Sequence, residues 1–279
     1  MQVSNILEEK SFQYTIEKPD MMQRSDEIDS LEEIVDYCKG IQEQVQYTEN
    51  IWNIEVQEGV TFADYLYGQI GEVREDDRRR MQEMISKQFV CISCFDEETE
   101  KILVSLGEYE DAINNMREYI DARRNILKKI DDVEEYEQFM HSCFPNSCFA
   151  KDILSEMRYI QNFPLNVKEI TDNLSVLDDE AIKLYEEYHD NLKEAMRILT
   201  AKLIECSPDS EHADMLAFPF VYQEQIDGEN VSREKMVECS PHLKLIHKGS
   251  NLRIYFWWCD KDIGNGEKVL VGRIGRHPY

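Results

Sequence analysis

Residues 239–279 concentrate side chains that can move protons and bind phosphate. The candidate residues are His242, Lys244, Arg253, Tyr255, Arg273, Arg276 and His277. Cleavage of RNA without a metal needs a base for the 2′-hydroxyl, cations for the phosphate charge and an acid for the leaving oxygen. These residue types supply all three roles. The segment therefore predicts either a catalytic site or an ordinary cationic face of a half-buried sheet.

Three runs in the same segment are rich in β-branched, aromatic and aliphatic residues, which favours strands. They cover residues 242–247, 252–259 and 268–274, and turn formers separate them. Short links of this kind favour antiparallel pairing. The segment therefore predicts a three-stranded β-meander.

Side chains alternate between the two faces of a strand, so every second residue shares a face. One face of the first two strands then carries four of the candidates: His242, Lys244, Arg253 and Tyr255. Either Arg273 or Arg276 joins them from the third strand. Which one does so depends on the strand register, which the sequence leaves open.

The C-terminal segment resembles the last two strands of RelE/ParE-like toxins. The resemblance rests on Arg253-Ile-Tyr255, a turn, and the stretch 269–279, and it covers about 40 of the 279 residues. By position, the residues that match the family pattern are Arg253, Tyr255, Arg276 and Tyr279. The resemblance implies that a helical hairpin precedes the antiparallel sheet. It also implies either a ribosome-dependent ribonuclease or a gyrase poison.

Charge is distributed unevenly along the chain. The net charge is −26, which opposes non-specific binding to nucleic-acid phosphates. Residues 231–279 hold nine Lys and Arg against five Asp and Glu, a balance of +4, which leaves −30 on the rest. The sequence thus describes either a polarised molecule with a basic patch or an acidic body that only maintains solubility.

Helical periodicity dominates the chain before residue 207. The pattern Ser30-Leu-Glu-Glu33 is typical of a capping box and predicts a helix at about 31–47. Thr61 predicts the start of another helix. The widest apolar stripe predicts a helix at about 179–205, which we expect to pack on the C-terminal sheet because it precedes it directly.

These patterns together predict an α+β fold, with a mostly helical body and a small C-terminal antiparallel sheet. The predicted division of the chain has two domains. An acidic helical domain occupies residues 1–176. Residues 177–279 form the long helix and the C-terminal antiparallel β-meander.

Cysteine spacing offers a second candidate site. Cys91 and Cys94 have the spacing of a zinc-ligand pair, and His141, Cys143 and Cys148 follow downstream. Zinc modules usually repeat the close pair, and the apolar neighbours of the first two cysteines favour buried free thiols instead. We therefore expect no metal and no other cofactor, with zinc as the minor alternative.

Targeting signals and the compartment follow from the same composition. The sequence has no apolar run of about 18 residues, so no membrane span is expected. The N-terminal residues lack the charge and apolar run of a secretory signal. The eight cysteines have no regular close spacing, which favours reduced thiols and a cytoplasmic protein.

Two functional hypotheses follow. The first is a bacterial toxin-like or phage-defence-type effector that acts on RNA or the ribosome through the C-terminal sheet, as a metal-independent endoribonuclease. The second is non-enzymatic: an acidic helical interaction protein, either a complex subunit or a nucleic-acid mimic, that binds a protein partner through its helices.

Overall fold

The computed structural model describes residues 2–68, 70, 74–96, 98–202, 205–208, 213–226, 228–245 and 251–277. The chain divides into two compact units, Met1–Arg123 and Arg124–Tyr279. We call them the N-terminal unit and the C-terminal unit. The predicted boundary at residues 176 and 177 falls inside the second unit, within a single helix.

The N-terminal unit alternates strands with helices. Its elements are β1 (Val3–Leu7), α1 (Ser25–Gly40), β2 (Val45–Tyr47), β3 (Glu55–Gln57), β4 (Val60–Thr61), α2 (Phe62–Tyr67), α3 (Glu75–Lys87), β5 (Phe89–Cys91), β6 (Glu100–Val104) and α4 (Met116–Leu127). Helix α4 continues across the boundary into the C-terminal unit. Short 3₁₀ turns follow β1 and β2.

A parallel sheet forms the centre of the N-terminal unit. Its four strands have the order β5-β2-β1-β6, and every neighbouring pair is parallel. Parallel neighbours need crossover connections, which here are α1 between β1 and β2, and α2 and α3 between β2 and β5. The connection from β5 to β6 then crosses back over two strands, so the strand order reverses at β1.

The two faces of this sheet are covered differently. On one face Asn5 accepts a hydrogen bond from the Tyr119 hydroxyl of α4 at 2.8 Å, and Cys38 of α1 lies 3.2 Å from the same hydroxyl. The opposite face carries Ser4 and Ile6. The connection between β5 and β6 crosses that face, where the Thr99 hydroxyl lies 2.9 Å from that of Ser4.

This sheet shows that the predicted α+β class, a helical body with one small C-terminal sheet, is wrong. Within the described residues the chain forms eight α-helices and thirteen strands in four sheets, a mixed α/β architecture. The physical reason is strand length. β2 and β5 have three residues each, too few for a period of two to be distinguished from helical spacing.

The C-terminal unit joins a helical layer to a mixed sheet. Its elements are α5 (Val133–Met140), β7 (Ser147–Phe149), α6 (Ile153–Met157), α7 (Phe163–Tyr188), α8 (Leu192–Lys202), β8 (Cys206–Ser207), β9 (Ala217–Ile226), β10 (Glu229–Glu238), β11 (His242–Lys244), β12 (Leu252–Trp257) and β13 (Val269–Arg276). The five-stranded sheet has the order β7-β13-β12-β11-β8. Only the pair β13 and β7 is parallel among these described strands.

Helices α7 and α8 lie between β7 and β8 in the chain. The predicted helix at 179–205 is wrong in its bounds, because α7 begins at Phe163 and the chain turns at residues 189–191 before α8 begins. Tyr185 of α7 stacks on Trp258 next to β12, with 6.4 Å between ring centroids. Among the helices in the described ranges, none is long and apolar enough to cross a membrane.

Strands β9 and β10 form a long hairpin whose base covers the other face of the sheet. Phe220 and Val237 at this base are buried in one cluster with Tyr255 and Leu270. Gly272 of β13 lies directly below the hairpin. A methyl group at this position would overlap the Phe218 ring, so the close packing requires glycine there.

Candidate functional site

Strands β11, β12 and β13 place most of the predicted residues in two rows on one sheet face. His242, Tyr255 and Arg273 are cross-strand partners in the first row. Lys244 and Arg253 are partners in the second row, which lies two residues after His242 on β11 and two residues before Tyr255 on β12. Directly opposite residues project to the same face, so these five side chains share it. The register also shows that Arg273 is the arginine that joins the cluster.

Three rings meet at the first row. The centroids of His242 and Tyr255 are 5.1 Å apart, and the His277 ring lies 6.4 Å from each of them. The backbone N–H of His277 donates to the Asn251 carbonyl at 2.8 Å, which holds the end of β13 against β12. The structure therefore brings two imidazoles and a phenol together, and we call His242, Tyr255 and His277 the ring cluster.

The ring cluster is buried on one side. Tyr255 has no exposed surface and His242 retains 5%, whereas His277 is half-buried. Tyr255 belongs to the apolar cluster that includes Ala150 and Leu270. Access to the cluster from solvent is therefore through His277, and His242 is the inner imidazole.

Carboxylates from other elements neutralise two of the cations. The Arg273 guanidinium pairs with Glu156 of α6 at 2.8 Å, and the Lys244 ammonium pairs with Glu205. Lys244, with a smaller effect from Arg253, holds the pKa of Glu205 below its usual range. Arg253 itself donates to the Leu252 carbonyl at 2.8 Å. The predicted set of cations is thus partly compensated in the folded protein.

The remaining residues of the predicted set lie apart from the cluster or outside the description. Arg276 is the cross-strand partner of Leu252, projects to the opposite face and is exposed, so it cannot act with His242. Tyr279, which completes the resemblance to the toxins, lies outside the described residues. So do residues 246 and 247 at the end of the first predicted strand and residues 248–250 of the predicted turn at 248–251.

The cysteines predicted as a minor zinc alternative are divided between the two units. Cys91 and Cys94 are exposed in the N-terminal unit. In the C-terminal unit Cys143 is buried with its thiol 3.5 Å from the Phe139 carbonyl, and burial raises the pKa of Cys148 on β7. In the part of the chain that the structure describes, no three His, Cys, Asp or Glu residues form a possible metal site.

The sequence patterns do not reveal the two acids that pair with the cations of the site. Glu156 lies on a helical turn more than a hundred residues before Arg273, and Glu205 follows α8. Both are ordinary acids in a chain with 57 Asp and Glu residues. Nothing in their local patterns distinguishes them, because their roles arise only from tertiary packing.

Comparison with known proteins provides no external assignment. No protein family model matches the chain, and no curated protein or solved structure has significant similarity to it.

Proposed function

We propose that the C-terminal unit is a metal-independent endoribonuclease of a bacterial toxin-like or defence-type effector. The ring cluster is its reaction centre. The observation that carries the proposal is the pair of imidazoles, His242 and His277, whose ring centroids lie 6.4 Å apart on one face. Two imidazoles at this separation can act on the attacking and leaving oxygens of a single phosphodiester.

The proposed reaction is a transesterification. One imidazole removes the proton of the ribose 2′-hydroxyl, and the 2′-oxygen attacks phosphorus. The bond from phosphorus to the 5′-oxygen breaks, and the second imidazolium donates its proton to that oxygen. The products are a 2′,3′-cyclic phosphate and a free 5′-hydroxyl, so the proton balance closes without a metal or a cofactor.

Charge on the phosphate is stabilised by the second row of the face. Arg253 and Lys244 are adjacent there, and the Lys244 ammonium is held by Glu205 at rest. RNA therefore competes with this carboxylate for the ammonium. Such competition explains how the Lys244 charge is balanced by a carboxylate in the free protein. It also supports a site in which only a phosphate-bearing substrate releases Lys244 from Glu205.

The test is cleavage of labelled single-stranded RNA by the full chain in EDTA, with and without translating ribosomes. We expect His277→Asn to reduce the rate by about 100-fold or more, which is typical of losing a general acid or base. The matched control is His189→Asn at the end of α7, an exposed histidine outside the sheet. Equal rates for wild type and His277→Asn, or no cleavage by wild type, would overturn the proposal.

Two further variants separate chemistry from folding. His242→Asn alters a buried side chain, so its melting temperature must be measured together with its rate. Glu205→Gln leaves both imidazoles unchanged and releases Lys244. We expect it to bind RNA more tightly than wild type, an outcome that loss of folding cannot produce.

The cytoplasm is the proposed location of this activity. All eight cysteines are free thiols, and five of them lie at exposed or half-exposed positions: Cys91, Cys94, Cys148, Cys206 and Cys259. A reducing compartment preserves such thiols, which supports a cytoplasmic protein.

A protein-binding role is the second candidate, and the hairpin β9–β10 favours it. Val221 and Met236 on its outward face are 47% and 57% exposed. In the described sheets the hairpin pairs with no third strand. Exposed apolar side chains on such a ribbon are typical of an interaction surface. This role predicts that a partner copurifies with the wild-type chain and no longer does so with the Val221→Ser and Met236→Ser variants. That result, together with no RNA cleavage by the wild type, would favour this role.

A further inference from the structure

The N-terminal unit has a cavity at the carboxyl edge of its parallel sheet. β1 lies between β2 and β6, and the strand order reverses there. In open α/β sheets, ligands bind outside the carboxyl ends of the strands at the point where the order reverses. The cavity has a volume of about 350 Å³ and lies against Leu7 and Glu8 at the end of β1 and Thr48 after β2. Its size is in the range of small-molecule sites.

One wall of this cavity is apolar and aromatic. Ile6 and Leu103 are parallel partners on neighbouring strands, and both line the cavity. Phe95, from the connection that crosses back over this face, lines it as well and is half-buried. A flat ring is the ligand group that such a wall accommodates best, because it can stack on the phenyl ring and cover the two aliphatic side chains.

The cations of the cavity are Lys10 after β1 and Lys101 on β6. Both are exposed, and across the described residues neither ammonium lies within ion-pair distance of a carboxylate. The nearby acid Glu9 is occupied, because its carboxylate accepts from the Thr48 backbone N–H and, at 3.1 Å, from the Thr48 hydroxyl. Glu8, the other acid of the lining, accepts from the Lys10 backbone N–H at 3.2 Å. The lining therefore carries two positive and two negative charges, and its two ammonium groups are the charged donors that remain for a ligand.

We propose that this cavity binds a small anion with a planar ring, of the nucleoside monophosphate class. The ring lies against Phe95, and the phosphate is held by Lys10 and Lys101. Thr48 and Asn50 at the carboxyl end of β2 face the polar edge of the ligand. The phosphate rests on ammonium groups, since the turn after β1 is Glu8-Glu9-Lys10 and lacks the glycines of a phosphate loop.

The test is calorimetric titration of the full chain with AMP, GMP, CMP and UMP, alongside adenosine and inorganic phosphate. We expect at least one monophosphate to bind, and Lys101→Ala to weaken it about tenfold, as is typical for loss of one charged hydrogen bond. Phe95→Ala should weaken the same ligand. The matched control is Lys39→Ala, an exposed lysine on α1 that does not line the cavity.

Three outcomes would overturn the proposal. They are no heat with any monophosphate, binding that Lys101→Ala and Phe95→Ala leave unchanged, and equal binding of inorganic phosphate alone. The proposal is independent of the ribonuclease hypothesis. We therefore expect His277→Asn to retain monophosphate binding in full, even where RNA cleavage is lost.

Discussion

Gly272 lies where the sheet of the C-terminal unit and the base of the hairpin β9–β10 are closest. A methyl group there would overlap Phe218 and lie 2.9 Å from the Cys239 sulfur. We expect Gly272→Ala to lower the free energy of unfolding by about 1–3 kcal/mol, because the ring must shift in a packed core. Urea unfolding of the purified variant measures this loss.

Gly275 on the same strand is the control for this prediction. A methyl group there meets the Glu156 carbonyl oxygen at 3.4 Å, the Glu156 Cβ at 3.5 Å and the Arg273 Nε at 3.7 Å, which are ordinary contacts. Gly275→Ala should therefore change the unfolding free energy by less than about 1 kcal/mol. A larger loss for Gly275→Ala than for Gly272→Ala would contradict the packing argument.

Asp178 on α7 is a buried carboxylate in a network of donors. It accepts from Arg124 at 2.7 Å and from the Asn146 backbone N–H and the Ser147 hydroxyl at 2.8 Å. Burial raises the pKa of Asp178 to about 6, although the Ser147 hydrogen bond and the Arg124 charge act in the opposite direction. The carboxyl group of the folded protein thus takes up a proton well above the pH at which the unfolded chain does.

The raised pKa of Asp178 predicts how stability depends on pH. Protonation of Asp178 stabilises the folded protein. This stabilisation is fully present below pH 3.8, the pKa of the group in the unfolded chain, and is lost as pH rises through about 6. Asp178→Asn cannot titrate. We expect the stability of wild type relative to this variant to fall by about 1 kcal/mol between about pH 5 and pH 8. Denaturant unfolding at both pH values checks it, and a constant or rising difference would count against it.

Helix α2 depends on Thr61, the cap residue that precedes its first residue. The Thr61 hydroxyl accepts from the Asp64 backbone N–H at 3.2 Å, and the Asp64 carboxylate accepts from the Thr61 N–H at 3.2 Å. The helix has six residues, which cannot be stable alone, and it buries Phe62, Tyr65 and Leu66. The cap therefore contributes much of its local stability.

We expect Thr61→Ala to destabilise the protein by about 1 kcal/mol, the usual effect of removing a side-chain cap. Thr61→Ser keeps the hydroxyl and should remain close to wild type. Thermal unfolding of the pair provides the comparison. Equal losses in both variants would show that the methyl group, and not the hydrogen bond, stabilises this helix.

The two helix starts predicted from sequence show where local patterns are sufficient. Thr61 is confirmed as a cap, because its interaction partner lies three residues away. The capping box at Ser30 is wrong: α1 begins at Ser25, and the Ser30 hydroxyl bonds to the Asp26 carbonyl within the helix. A serine and a glutamate at this spacing fit both a helix start and a helix interior. The burial of the preceding turn therefore determines where the helix begins.

Strand alternation likewise predicted part of the candidate site. It placed His242 and Lys244 on one face of the first strand and Arg253 and Tyr255 on one face of the second. The structure makes His242 the cross-strand partner of Tyr255, and Lys244 that of Arg253. The position of His277 could not be predicted, because it depends on the register of β13 and its bulge. Register is determined by the packing of the whole sheet face rather than by any one strand.

At the scale of the whole molecule, a net charge of −26 implies self-repulsion in the compact state. We expect the melting temperature at pH 8 to rise when salt increases from about 0.02 M to about 0.3 M, since screening weakens repulsion between exposed charges. The rise should be smaller near the isoelectric point of about 4.6. A fall with salt would show instead that ion pairs such as Arg80 with Glu32 dominate.

The central position of β1 determines how the N-terminal unit folds. Its five residues pair with β6, almost a hundred positions later in the chain, as well as with β2. A long loop must therefore close before the middle strand has both neighbours, which slows the search for the native arrangement. Until then β1 has one unpaired edge, which can pair with a strand of another incompletely folded chain.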